Sequence, residues 1–464
     1  MNILKTTLSL GLLCLVLTLG LTTCKSVVEN TSEHPVIVKP FKTLDVNPNQ
    51  YAIRTDRDTI LTVQSGTHIS IPANTLVDAN DKVIEGEVII EYTEYQKPAD
   101  ILISGIQMIY DSAGTTYGFE SAGMFNLDAS TAGGDPVFIK DGGTIDVAMG
   151  SYRDGDDYTF YYLDTVANAW QSVGTAKPEA NVSKKGRIDS LNQEMEKTTR
   201  EQSELKIPKK FKKGDKIINL DINYSKVPEL RPFHSLIWRY AGINGEGDPE
   251  KNAWIYNEQW TSIQLDPSTT VSGKYDLRLK KKDKSFQTVI EPVLQGKDLA
   301  KAEQALQKQM KEYDQILTTM KNEVLRANQE AELLRSFEVS RFGIYNWDRF
   351  FKEPESINVM ANFDFDKPVP GAEKITIYLV VESRNAVIPY YKDQARMFSF
   401  IPYEKNKLIA VLPENRIAVF TAEDFAALEK RAPAMKGKPF TFKLKVLDKK
   451  MEKDEDVSNL LASI

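Results

Sequence analysis

Between Tyr51 and Thr175, apolar and polar residues alternate in short runs. TILTVQSGTHISIP, GEVIIEYTEY, DILISGIQMIYDSAG, TTYGFESAGMFNLDA, DPVFIKDGGTIDVAMG and DYTFYYLDTVANAWQSVG each carry this pattern. A period of two puts every second side chain on one face, as a half-buried strand requires. In EVIIEYTEY, Val88, Ile90, Tyr92 and Glu94 therefore share a face. Turn-forming stretches (DAND, DSAG, TAGGDP, KDGG, RDGDD) separate the runs, and many short strands punctuated this way predict a β-sandwich over 51–175.

The pattern then changes. Residues 176–215 are charged, with a thin apolar stripe at Ile188, Leu191, Met195 and Leu205, and predict a short helix within a linker. Strand runs return over 216–296, ending in a hairpin that turns at KKKDK. Residues 297–337 then step their apolar positions by threes and fours without Gly or Pro, which predicts one long amphipathic helix. Its seam includes Leu306, Met310, Tyr313, Leu317, Met320 and Val324. Such a seam serves a coiled-coil partner, or packs on the chain's own β-domains or on the helix near 186–205. Residues 338–464 are β-rich and aromatic, with a capped short helix starting at Thr421. The expected class is mainly β: β-sandwich domains with one long amphipathic helix between β segments.

The N-terminus carries the clearest address. One lysine, Lys5, precedes an apolar run from about Leu8 to Leu21, too short for a spanning helix of about 20 residues and suited to a secretory signal. The run ends in Leu21-Thr22-Thr23-Cys24, which resembles the lipobox of bacterial lipoproteins, with Thr23 where Gly, Ala or Ser is usual. The resemblance implies cleavage after residue 23, fatty acylation of Cys24 (palmitate among the chains) and outer-membrane anchoring, since Lys25 follows the cysteine. Without an acidic cluster after Cys24, the periplasmic face is favoured over the cell surface. The chain has two cysteines, and Cys14 would leave with the signal. Cys24 is then the single mature thiol, with no internal disulfide open to it. Residues 24–50, polar and proline-bearing, read as a tether. The net charge of −6 gives no argument for nucleic acid, which favours a basic surface.

SGTHISIPANTLVDANDKVIEGEVIIEY, residues 65–92, resembles a ZU5-type β-domain through Gly66, Ile69, Ile71, Pro72, Leu76 and Gly86. The likeness covers about 55–150 and implies an interaction or structural module. Some such domains cleave themselves at His-Phe-Ser; here Phe233, His234 and Ser235 stand in another order, outside the matching region.

Candidate chemistry is thin. FESAG places Ser121 near a hydrolase-elbow spacing, but Phe119 fills the first glycine position and a strand pattern follows, so Ser121 reads as a strand residue. Three histidines and one mature cysteine give no zinc spacing, and no cofactor is expected. Asp78, Asn80 and Asp81, then Asp154, Asp156 and Asp157, then Glu246, Asp248 and Glu250, read as turn residues that fall short of a calcium-loop pattern. Glu91 and Glu94 lie three apart on one strand and so face opposite ways. Trp238, Trp254, Trp260 and Trp347, with Tyr345, are candidates for stacking on a glycan, against the commoner role of tryptophan in a core. The expected function is a non-catalytic envelope lipoprotein with a protein partner, with glycan or surface-polymer binding as the alternative.

Overall fold

A computed structural model describes residues 35–112, 115–205, 207–218, 227, 230, 236–243, 245–351, 356–391 and 398–464. The fold is mainly β, and its base is a sandwich. One sheet orders its strands Asn49–Arg54, Glu87–Tyr95, Thr115–Thr131, Gly343–Phe350, Thr159–Asp164 and Ala169–Thr175, with Ile109–Ser112 paired beside Thr115–Thr131. The facing sheet orders Glu179–Ala180, Leu333–Val339, Ile145–Ser151, His68–Ile71 and Thr59–Thr62. Val88, Ile90 and Tyr92 enter the core between them, as their alternation predicts, alongside Phe125, Val147, Phe160 and Trp347.

Two strands of this sandwich come from far along the chain. Gly343–Phe350, which the sequence placed in the domain 338–464, pairs with Thr115–Thr131 and Thr159–Asp164. Leu333–Val339 pairs with Ile145–Ser151. Everything between Asn181 and Ala331 is thus an insertion into the sandwich, and local pattern cannot show that two runs so far apart share a sheet.

The insertion begins with helix α2 (Val182–Glu204) and ends with helix α3 (Gly296–Gln329); a shorter helix, α1 (Pro98–Ser104), belongs to the base. The expected helix of 297–337 stops at Gln329, because Leu333–Val339 is captured as a strand and Ala331 N donates to Ser65 O at 2.8 Å. The short helix expected in the linker extends over 23 residues. α2 and α3 run antiparallel. Lys184 meets Asn328 and Glu330 at one end, and Gln202 Nε2 donates to Asp314 Oδ1 at 2.8 Å nearer the other. Between these contacts Ile188, Leu191 and Met195 are half-buried on α2, and so are Tyr313, Leu317, Met320 and Val324 on α3. The result is a two-helix stalk.

At its far end sits a separate head, a sheet ordered Ile217–Ile218, Ile237–Tyr240, Lys284–Leu294, Tyr275–Lys281 and Ser262–Pro267, with Lys209–Lys210 beside Lys284–Leu294. Trp238, Leu277, Leu279, Ile290 and Ala302 of α3 form its core. The expected hairpin at KKKDK turns between Lys281 and Lys284, with Lys282 in a left-handed conformation (φ 43°).

The C-terminal sheet packs on the outer face of the seven-stranded sheet, where Phe119, Met124, Tyr161 and Trp170 meet Tyr378, Val380, Ile409 and Ile417. Its strands run Ala386–Tyr390, Ile377–Val381, Asn406–Leu412, Arg416–Phe420, Pro439–Lys450, Ile357–Phe365 and Phe398–Phe400. The sheet curls into a nearly closed barrel. Tyr390 and Phe398, on its two edge strands, hold ring centroids 4.8 Å apart, and Tyr390 OH donates to Ser399 O.

The tether also needs correction. Val36, Phe41 and Leu44 are buried against α1 and the C-terminal helix Asp454–Ser463, and Val38 N donates to Gly105 O at 2.8 Å. From Val36 onward the segment belongs to the folded base.

Candidate functional site

Ser121 lies on Thr115–Thr131 and is fully buried. Its Oγ donates to Asn346 Oδ1 at 2.6 Å and accepts from Gly123 N at 3.0 Å. Asn346 Nδ2 in turn donates to Asp348 Oδ2 at 2.6 Å. A bulge at this point pairs Gly123 with Trp347 and Ser121 with Asp348, leaving Ala122 as the extra residue. Simple alternation groups Met124 with Glu120 and Ala122. The bulge instead turns it to the side of Phe119, toward the C-terminal sheet, while Ala122 and Phe125 face the sandwich core. Gly123 is required by its φ of 139° and by Met149 Cε, 2.6 Å from where a Cβ would sit.

Burial holds the Asp348 carboxyl well above the ordinary carboxylate range, and the negative charge of Glu120 adds to the effect. Glu120 is itself buried between Arg349 and Arg384, the latter at 3.0 Å and from the C-terminal domain. Arg384 continues to Glu404 at 3.0 Å. These groups weld the two β layers together, because a buried charge is tolerable only when paired. The described histidine, His68, lies on the outer side of the five-stranded sheet, bonded to Thr62 and Ser183. It lines a shallow groove of about 570 Å³ there, across the sandwich from Ser121.

A second polar cluster sits at the root of the stalk. Glu94 accepts from Ser65 Oγ, Thr67 Oγ1 and Tyr92 OH, and burial raises its pKa against those hydrogen bonds. Glu91, on the other face as expected, accepts from Gln50 Nε2 at the surface. Next to the cluster, Asn181 caps α2, accepting from Lys184 N at 3.1 Å and donating from Nδ2 to Ala331 O. The Lys184 side chain, only 5% exposed, donates to Glu330 O at 2.6 Å and Glu332 Oε1 at 2.7 Å, at the negative end of α3. Gly66, singled out in the sequence, has φ 90°; a Cβ there would stand 2.9 Å from Asn181 Nδ2.

The six seam residues do share one side of α3, and α2 runs along that side from Tyr313 to Val324. Leu306 and Met310, nearer the head, are half-buried too. The four tryptophans are not brought to one surface. Trp347 is fully buried in the sandwich and Trp238 in the head core. Trp254 is 39% exposed on the head, 5.9 Å from Trp260 at an interplanar angle of 54°, so the two rings form no flat platform. Trp254 also rests edge-on against Phe286, and Tyr256 beside it is 45% exposed. Tyr345 is buried.

The turn carboxylates are engaged within the protein, Asp157 with Arg349 at 2.9 Å among them. Asp78 Oδ1 accepts from Asn80 N and Lys82 N, and Asp248 pairs with Lys216 at 2.6 Å. Among the described residues, no three metal-binding side chains converge. Cys24, the signal, Phe233, His234 and Ser235 lie outside the described residues. No described helix is long and apolar enough to cross a membrane. No family model, curated protein or solved structure matches the chain.

Sequence reading missed the stalk root. Lys184 and Asn181 are an ordinary lysine and a candidate helix cap until the fold brings residues 328–332 to them.

Proposed function

We propose that the protein is a non-catalytic lipoprotein of the cell envelope, held to the outer membrane through acylated Cys24, whose head is presented on the stalk to a protein partner. The reading is supported chiefly by the architecture of the insertion. A folded head, bearing the partly exposed aromatics Trp254 and Tyr256, is carried by paired helices rooted in a base whose two β layers are locked by buried ion pairs. Such an arrangement spends a long stretch of chain on positioning a surface. The nucleophile-like Ser121 is engaged in joining two neighbouring strands of one sheet, in keeping with a structural role.

The test has two arms. Cys24→Ser should abolish fatty-acid labelling and membrane retention; unchanged labelling and retention overturn the anchor. Affinity isolation of the intact lipoprotein after mild crosslinking should return a defined envelope protein attached through head residues 207–294. Recovery of a defined oligosaccharide and no protein would give preference to the glycan reading, which Trp254 favours.

A further inference from the structure

The head sheet has two edges of opposite character. On one side lies the two-residue strand Ile217–Ile218, and a very short edge strand is a usual means of discouraging further pairing. On the other side lies Ser262–Pro267. It pairs with Tyr275–Lys281 over six residues in continuous register, from Ser262↔Lys280 to Pro267↔Tyr275. It has no bulge and no lysine, only its last residue, Pro267, lacks an N–H, and among the described residues no strand pairs with its outer side.

Ser268 N donates to Lys274 O, which makes that a hydrogen-bonded pair. Alternation then makes 266/276, 264/278 and 262/280 bonded pairs and turns the backbone groups of Ile263 and Leu265 outward. Ile263, Leu279 and Phe286 form one cross-strand row. Trp254 stands against Phe286 at one end of that row, and Ile263 at the other end is 39% exposed. The edge strand carries Asp266, which is paired with Arg278 at 3.4 Å. Glu258 satisfies Lys281 and Lys284, while Lys280 and Lys282 have no ion pair among the described residues. Lys280 lies directly opposite Ser262, whose short side chain leaves it free to reach across the edge.

From this edge we infer that Ser262–Pro267 takes up an extended segment of a protein partner as an added strand, with an apolar residue against Ile263 and a carboxylate against Lys280. Backbone hydrogen bonds would supply affinity, and the alternate side chains selectivity. The inference rests on the head acting as an interaction module and names the form of its partner.

The experiment uses the mature full chain and a fluorescein-labelled synthetic peptide, Glu-Val-Thr-Val-Thr-Val-Glu, read by fluorescence anisotropy. Ile263→Pro removes one outward N–H and leaves the bonds to Tyr275–Lys281 in place, as proline on a sheet edge allows. Circular dichroism should show it folded. Expected are saturable binding, at least tenfold weaker binding by I263P, and at least threefold weaker binding by Lys280→Glu. The same peptide ended with lysines should reverse the K280E effect. Binding that I263P leaves unchanged, or no binding at all, overturns the inference. So does wild-type dimerisation in sedimentation that I263P abolishes, since the edge would then serve a second copy. If I263P still captures the crosslinked envelope partner through its head, the edge inference falls while the interaction reading stands. If no envelope protein is captured through the head, that reading falls whatever the peptide does.

Discussion

Lys184→Met is the sharpest probe of how the head is held. Methionine keeps the length and apolar stem of lysine and removes only the ammonium. In the folded protein that ammonium donates to Glu330 O at 2.6 Å, to Glu332 Oε1 at 2.7 Å and, at 3.4 Å, to Asn328 O. Glu332 is 82% exposed and turns to water at little cost, so its pairing contributes little. The bond to Glu330 O is charge-assisted and shielded, worth about 1.5–3 kcal/mol. Loss of a cation at a helix C-terminus adds about 0.3–1 kcal/mol, and relief of the lysine's own desolvation offsets part of the sum. We expect a local loss of about 2 kcal/mol, which lowers amide protection in the last turn of α3 about 30-fold. Native-state hydrogen exchange read by mass spectrometry should show that loss over residues 322–333 and at the start of α2. Protection over Tyr275–Leu294 in the head core should stay as it was. Unchanged exchange at the stalk root, or a loss spread evenly into the head, would refute the role given to Lys184.

Gly66→Ala places a methyl group at φ 90° and 2.9 Å from the cap Asn181; the expected cost is about 1–3 kcal/mol, seen as a lowered Tm and as exchange at the stalk root. Trp347→Ala empties a fully buried site against Phe160 (centroids 4.6 Å apart) and beneath Arg335, and should cost about 3–5 kcal/mol, with a lower urea midpoint and an unchanged m value. Asp348→Asn tests the buried carboxyl. Because its folded pKa is raised, the folded state keeps a proton that the unfolded chain gives up above about pH 3.9. Wild-type stability therefore falls as pH rises from there toward the raised value, by about 1.4 kcal/mol per pH unit for this group. The asparagine variant should match wild type near pH 4, unfold at a higher temperature at pH 8 and show a flatter profile between; parallel profiles would refute it.

Much of the fold was legible because the periodicities were strong. Val88, Ile90 and Tyr92 sit where alternation puts them, and Leu317, Met320 and Val324 line one side of a helix. What local pattern could not carry was sheet membership. LLRSFEV follows α3 with spacing that extends the helix, yet the open edge of Ile145–Ser151 and the hydrogen bond from Ala331 to Ser65 draw it into a strand. The bulge at Gly123 shifts Met124 across the sheet, and a single sequence does not distinguish a bulged strand from a regular one there. Phe41 was hidden within proline-bearing, polar surroundings, and only the groove beside α1 gives it a core position. The candidate edge at Ser262–Pro267 was visible as a strand in WTSIQLD; that it ends its sheet became apparent only from the strand order.

The root of the stalk has a mechanical consequence. A 34-residue helix is about 50 Å long, so a tilt of about ten degrees at its base carries the far end about 9 Å sideways. Slight adjustments where Ser65 grips Ala331 would sweep the head through an arc nearly as wide as two neighbouring strands.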